Sequence, residues 1–161
     1  MEEKSLIIKE EELESLIETY SPEELLLKGK RFAEEDKYIQ ARTTFKKLIS
    51  RNTKLNEIAK LYYSVIEPQI LISKVGIESI LGKELSTKQN SIISLIISSM
   101  INATELYQDK LLPKKDLFTI ERFIDRFPFE EAIIPNRKEF ERLYSQFKEY
   151  VQNVFLKEGS E

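Results

Sequence analysis

Arg42, Lys46, Lys47 and Arg51 repeat at steps of four, one and four, and no acid occurs between Lys37 and Glu57. Wound into a helix, these cations occupy the side opposite an apolar stripe of Tyr38, Ala41, Phe45, Leu48 and Ile49. An unneutralised row of guanidinium and ammonium groups is suited to holding phosphates. It positions a sugar–phosphate backbone without reading its sequence. Thr43, Thr44, Ser50, Asn52 and Thr53 are expected to add hydrogen-bond donors beside them, and Lys54 and Lys74 to extend the candidate surface. The simpler alternative is a solvated basic face paired with an acidic N-terminal helix.

Acids offer a second chemistry. Glu11, Glu14 and Glu18 fall at i, i+3 and i+7, and Glu121 and Asp125 at i, i+4, the spacing with which helical nucleotide pyrophosphatases hold Mg²⁺. No second acidic helix of matching pattern accompanies them, so a solvated acidic face is the expectation and no metal site is assigned. Other catalytic constellations lack their residues. With no His and no Cys there is no imidazole base, no thiolate nucleophile and no Cys/His metal ligand set. The four glycines, at 29, 76, 82 and 159, are isolated, which excludes a Gly-rich phosphate loop. A non-enzymatic protein without a cofactor is the expectation.

Elements that would position these groups read as helices throughout one domain spanning 1–161, an all-α bundle of about six to seven helices. Four glycines and five prolines leave few turn residues for strand architectures. Apolar positions in 6–19 alternate with acids at helical spacing. Ser21-Pro22-Glu23-Glu24 supplies an N-cap, a first-turn proline and a capping-box acid for a helix over 22–35. The basic helix follows at 37–51, then a helix over 55–67 that Pro68 is expected to end or kink, with helical pattern resuming over 69–81. Ser86-Thr87 opens a helix over 88–108 whose pairs Ile92/Ile93, Ile96/Ile97 and Met100/Ile101 predict a central, largely buried element. Asp116 is expected to cap a helix over 117–127. Phe129, Ile133 and Ile134, between Pro128 and Pro135, are expected to pack as a lid. The last helix runs from Asn136 to Gly159. Its stripe of Phe140, Tyr144, Phe147, Val151 and Val154 suits a core, or the seam of a partner chain.

Charge is unevenly distributed. Residues 1–27 hold nine acidic and two basic side chains; residues 28–60 hold ten basic and four acidic. The formal net charge of −3 thus hides one basic segment between more acidic ones. The longest uncharged run, Gln89–Thr104, is sixteen residues, too short to span a bilayer. The N-terminus shows no secretory pattern, so a cytoplasmic protein is expected. Richness in Glu, Lys and Ile without Cys is similar to the composition of thermophile proteins.

Three family resemblances follow from particular stretches. Lys28–Ile49 resembles one tetratricopeptide unit. Tyr62-Tyr63 and Ala103–Phe123 resemble helical nuclease-related domains found beside nucleotidyltransferases. Their catalytic Arg-x(4–6)-His motif has no counterpart, so ribonuclease activity does not carry over. Over the whole chain the sequence resembles the small subunit of type III CRISPR effector complexes, the Csm-type helical-bundle family. Gln40-Ala41-Arg42-Thr43-Thr44-Phe45 matches that family's short basic–aromatic motif, Ile66-Glu67-Pro68-Gln69-Ile70 with Lys74 its Pro-interrupted helix, and Phe140–Gly159 its closing aromatic helix. The chain departs where Lys74 replaces an Arg and where Asn153-Val154-Phe155 stands in place of an Ala-Tyr-His-like ending. The resemblance implies a non-enzymatic, RNA-binding subunit of a ribonucleoprotein complex in antiviral defence. Several copies would stack along a guide–target duplex beside other subunits and contact RNA backbone independently of sequence. Arg42, Lys46, Lys47, Arg51, Lys54 and Lys74 are the candidate contact residues. A protein–protein adaptor without nucleic acid, and a Mg²⁺-dependent nucleotide hydrolase, are the alternatives.

Overall fold

A computed structural model describes Leu13, Ser15, residues 17–75 and 86–129, Ile134 and residues 136–158; the side chains of 71–75, 86–91 and 158 fall outside that set. Six helices are described: α1 (Pro22–Glu34), α2 (Tyr38–Ser50), α3 (Asn56–Val75), α4 (Ser86–Gln108), α5 (Lys114–Asp125) and α6 (Arg137–Glu158). No strand occurs among the described residues, and the fold is all-α. The chain gathers into two compact units that divide between Ile66 and Glu67.

In the first unit, Ser21 starts α1 with the predicted reciprocal cap. Its hydroxyl accepts from the Glu24 N–H at 3.2 Å, and the Glu24 carboxylate accepts from the Ser21 N–H at 3.1 Å. Asp36 ends the helix in the left-handed region at φ 63°, letting the Lys37 N–H reach back to the Phe32 carbonyl at 2.8 Å. The glycines are few, so Asp36, Asn52 and Asn136, which tolerate this conformation, take the place that glycine often fills. α1 and α2 then pack as a hairpin. Leu25, Gly29 and Ala33 are buried on one helix, and Ala41, Thr44, Phe45 and Leu48 on the other. Gly29 is required at the crossing: a Cβ there would stand 2.7 Å from the Phe45 ring. That ring stacks on Tyr62 of α3, with centroids 5.3 Å apart and planes 10° off parallel.

Of the end or kink expected at Pro68, the end does not occur: α3 runs through it to Val75. A proline inside a helix costs about 3 kcal/mol. Val65, Ile66, Gln69 and Ile70 are buried around it, and each buried large apolar side chain contributes about 1.5–3 kcal/mol. In the second unit Gln69 also donates through Nε2 to the Phe123 carbonyl at 3.0 Å. Packing around the proline outweighs the local penalty.

α4, α5 and α6 pack against one another in the second unit. The core takes Ile92, Ile93, Ile96, Met100 and Ala103 from α4, and Leu117, Ile120, Phe123 and Ile124 from α5. α6 adds Phe140, Phe147, Val151 and Val154, so its apolar stripe is core, with Tyr144 half-buried at its edge. Two expectations are corrected here. α4 is not buried on both sides of its isoleucine pairs, since Ile97 is half-buried and Ile101 is 48% exposed. The two lie about one residue's turn away from the Ile92/Ile96/Met100 stripe that meets the neighbours. Asp116 is not the cap of α5. The extended Pro113 (φ −62°, ψ 150°) precedes the first turn, and Asp116 lies buried within that turn. The lid residue Phe129 packs among Phe127, Phe140 and Tyr144 at ring distances of 5.0, 5.0 and 4.8 Å. Ile134 is buried, and Ile133 lies outside the described residues.

Candidate nucleic-acid interface

The predicted cations on α2 separate by role. Arg51 follows the last turn of α2 and points into the protein. Its guanidinium donates to the Tyr20 carbonyl, and to the Ile17 and Glu18 carbonyls at 2.9 Å each. It therefore satisfies the carbonyls where the helical turn before Thr19 ends. Lys47 lies beside it and pairs with Glu18 at 2.5 Å. That bond and the Lys47 charge hold the Glu18 carboxyl below its usual range, against the opposing pull of burial. Arg42, Lys46 and Lys47, with Thr43 and Ser50, line an open, mostly polar concavity of about 400 Å³ whose far wall is Ile17 and Glu18. Lys46 and Lys54 are exposed and Arg42 is half-buried. Lys74 lies in α3, but its side chain is outside the described residues.

The hydroxyls expected as extra donors are committed to the backbone. Thr43 donates to the Ile39 carbonyl at 3.1 Å, Thr44 to Gln40 at 2.8 Å and Ser50 to Lys47 at 2.6 Å. Thr44 is moreover buried. Thr53 and Asn52 cap the start of α3: the Leu55 N–H donates to the Thr53 hydroxyl at 3.2 Å, and Asn56 donates to the Asn52 side chain at 3.1 Å. Any anion held on α2 is therefore held by cations.

The acidic pair Glu121 and Asp125 also has an internal role. Lys148 of α6 stands between them, 3.2 Å from Glu121 and 2.5 Å from Asp125, where a divalent ion would have to sit. Burial works against the Lys148 ammonium, but the two carboxylates outweigh it and its pKa is raised. The Tyr144 hydroxyl donates to Asp125 as well. Burial first, then that bond, pushes the Tyr144 pKa well above the usual phenol value. Among the described residues no group of three or more Asp or Glu could hold a metal ion. Glu11 and Glu14 lie outside them. The sequence carries a signal for this seam that pattern reading missed: the i, i+4 acids on α5 match the i, i+4 pair Tyr144 and Lys148 on α6.

A second surface lies along the same two helices. Lys115, Phe118 and Arg122 of α5 face Lys148, Val151, Gln152 and Phe155 of α6 across an open, largely apolar groove of about 600 Å³. Phe155 is 60% exposed and the adjacent Leu156 64%. Among the described residues no helix is long and apolar enough to cross a membrane. No family model, curated protein or solved structure matches this chain.

Proposed function

We propose that this protein is a non-enzymatic helical subunit of a ribonucleoprotein assembly, of the kind its resemblance to type III CRISPR small subunits implies, and that it meets RNA backbone along α2. The observation that carries this reading is the convergence of Arg42, Lys46 and Lys47 on one open polar concavity, on a helix with no acid of its own. Arg51 supports that surface from behind by fixing the wall opposite. The contact surface is accordingly Arg42, Lys46, Lys47 and the exposed Lys54, with no base-reading groups required. A Mg²⁺-dependent hydrolase has less support, because Lys148 already bridges the α5 carboxylates. A protein–protein role is favoured by a different observation, the apolar groove between α5 and α6, and is compatible with a subunit in a larger complex.

The test is RNA binding by a variant with Arg42, Lys46 and Lys54 changed to Ala, leaving Lys47 and Arg51 in place. Affinity should fall about equally for unrelated sequences. The slope of log affinity against log salt should shrink by roughly 0.7 for each single-strand phosphate that the variant no longer neutralises. Arg51→Lys keeps the charge but not the fork; it should lower stability by about 1–3 kcal/mol through the orphaned carbonyls and leave the salt slope alone. Unchanged affinity in the triple variant removes α2 as the RNA surface.

A further inference from the structure

We infer that Glu18 is an internal competitor for the anion site on α2: its carboxylate holds the place on Lys47 that an RNA phosphate takes, and binding exchanges one for the other. This deepens the reading of α2 as the RNA surface and rests on it. Among the described residues that line the concavity, Glu18 is the one acid, set against Arg42, Lys46 and Lys47. The Lys47 ammonium donates to its carboxylate at 2.5 Å. A carboxylate and a phosphodiester each carry one negative charge and accept the same ammonium hydrogen bonds. Whichever of them reaches Lys47 excludes the other.

The backbone that carries Glu18 is pinned, but its side chain is open. Arg51 donates to the carbonyls of Ile17, Glu18 and Tyr20, which ties this stretch of chain to the end of α2. Beyond that anchor the Glu18 side chain is 63% exposed, against 27% for Lys47. The carboxylate can therefore swing into water while the anchor stays closed. Breaking an exposed ion pair of this kind costs little. The carboxyl is held below its usual range by the Lys47 bond and charge, so it is ionised at neutral pH and present as a competitor. A strand that also meets Lys46 and Arg42 gains several contacts for the one it displaces. Glu18 thus lowers affinity without closing the site, and bound RNA is released more readily than three unopposed cations would allow.

Fluorescence anisotropy with an unstructured single-stranded RNA, over a salt series, tests this. Glu18→Gln keeps the side-chain shape and removes the charge. It should tighten binding about three- to tenfold, because a like charge next to the incoming phosphate is gone. The slope of log affinity against log salt should steepen by up to roughly 0.7, one more single-strand phosphate neutralised. Glu35→Gln is the control: it takes the acid from another exposed lysine pair of the same unit, outside the concavity. It should change affinity by less than about twofold, as a screened charge does. In a Lys47→Ala background Glu18→Gln should also fall below about twofold, because the pair it acts through is absent. Circular dichroism verifies the fold of each variant, and Glu18→Asp, which withdraws the carboxylate by one methylene, should tighten binding in the same direction by less. Affinity unchanged or weakened in both Glu18 variants, an equal gain in Glu35→Gln, or a gain that persists without Lys47 overturns the inference. A variant with Arg42, Lys46 and Lys54 changed to Ala that binds like the parent removes the α2 reading and the inference together. Loss of affinity in that variant beside an inert Glu18→Gln removes the inference alone.

Discussion

Tyr144 shows how a single side chain carries a pH dependence that the sequence does not display. Its hydroxyl is half-buried and donates to Asp125, so the protonated form is favoured in the folded state and the pKa is raised. A group with a raised folded pKa contributes stability below its unfolded pKa and loses it as pH rises through the folded one. For a phenol the loss begins near pH 10. Tyr144→Phe should therefore cost about 1 kcal/mol at neutral pH, the worth of one hydrogen bond, and decline less steeply than the parent above about pH 10. Denaturant unfolding at pH 8 and near pH 11 measures both. Lys148 is present in both proteins, so its own alkaline loss of charge largely cancels in the comparison. Parallel pH curves would mean that the Asp125 bond does not hold the proton. At this scale the cations of α2 were legible as a group, but their division was not. Arg51 and Arg42 are the same residue type in one basic segment, and only the turn at residues 17–20 opposite Arg51 makes it a carbonyl clamp.

Helix pairing puts its sharpest demand on Gly29. Gly29→Ala gains roughly 1 kcal/mol of helix propensity, yet the added methyl meets Phe45 at 2.7 Å, and that ring is backed by Tyr62. Overpacking of this kind costs about 1–3 kcal/mol, so the net change should be destabilising. In a Phe45→Leu background the clash is relieved and the same substitution should be neutral or stabilising. A double-mutant cycle in urea checks this; a zero interaction energy between the two sites would contradict the packing. Helix starts and stops were largely readable, because the Ser21 box and the apolar periods act within one or two turns. That Pro68 does not end its helix and that Asp116 is not a cap have one reason. Local rules price the proline or the cap by itself, while burial of Ile66, Gln69 and Ile70 in one case and an earlier start after Pro113 in the other decided the outcome.

For the molecule as a whole, the division between Ile66 and Glu67 has an energetic consequence. Leu48 is packed in the first unit and Ile120 in the second, both fully buried. Leu48→Ala should cost about 2–5 kcal/mol and Ile120→Val about 0.5–1.5 kcal/mol. If the two units unfold without coupling, the combined change should be the sum of the two to within about 0.5 kcal/mol. A larger deviation in equilibrium unfolding would show that the two cores are coupled. The formal charge of −3 is likewise a poor guide to behaviour. The basic segment is partly neutralised within its own unit by Glu18, and the acids of α5 by Lys148 of α6.

The sequence by itself determined the all-α class, most helix limits, the α1 cap and the core stripes of α2 and α6, because periodicity and capping are set by residues within a few positions of each other. It also determined the absence of His and Cys chemistry, which is a matter of composition. Tertiary structure alone decided which charges are used inside the fold: Arg51 and Lys47 against residues 17–20, and Lys148 against Glu121 and Asp125. It decided as well that Ile97 and Ile101 are not core and that Phe155 and Leu156 stay open. An ion pair or a covered face depends on which distant segment arrives opposite, and nothing in the spacing of residues along one helix specifies its neighbour.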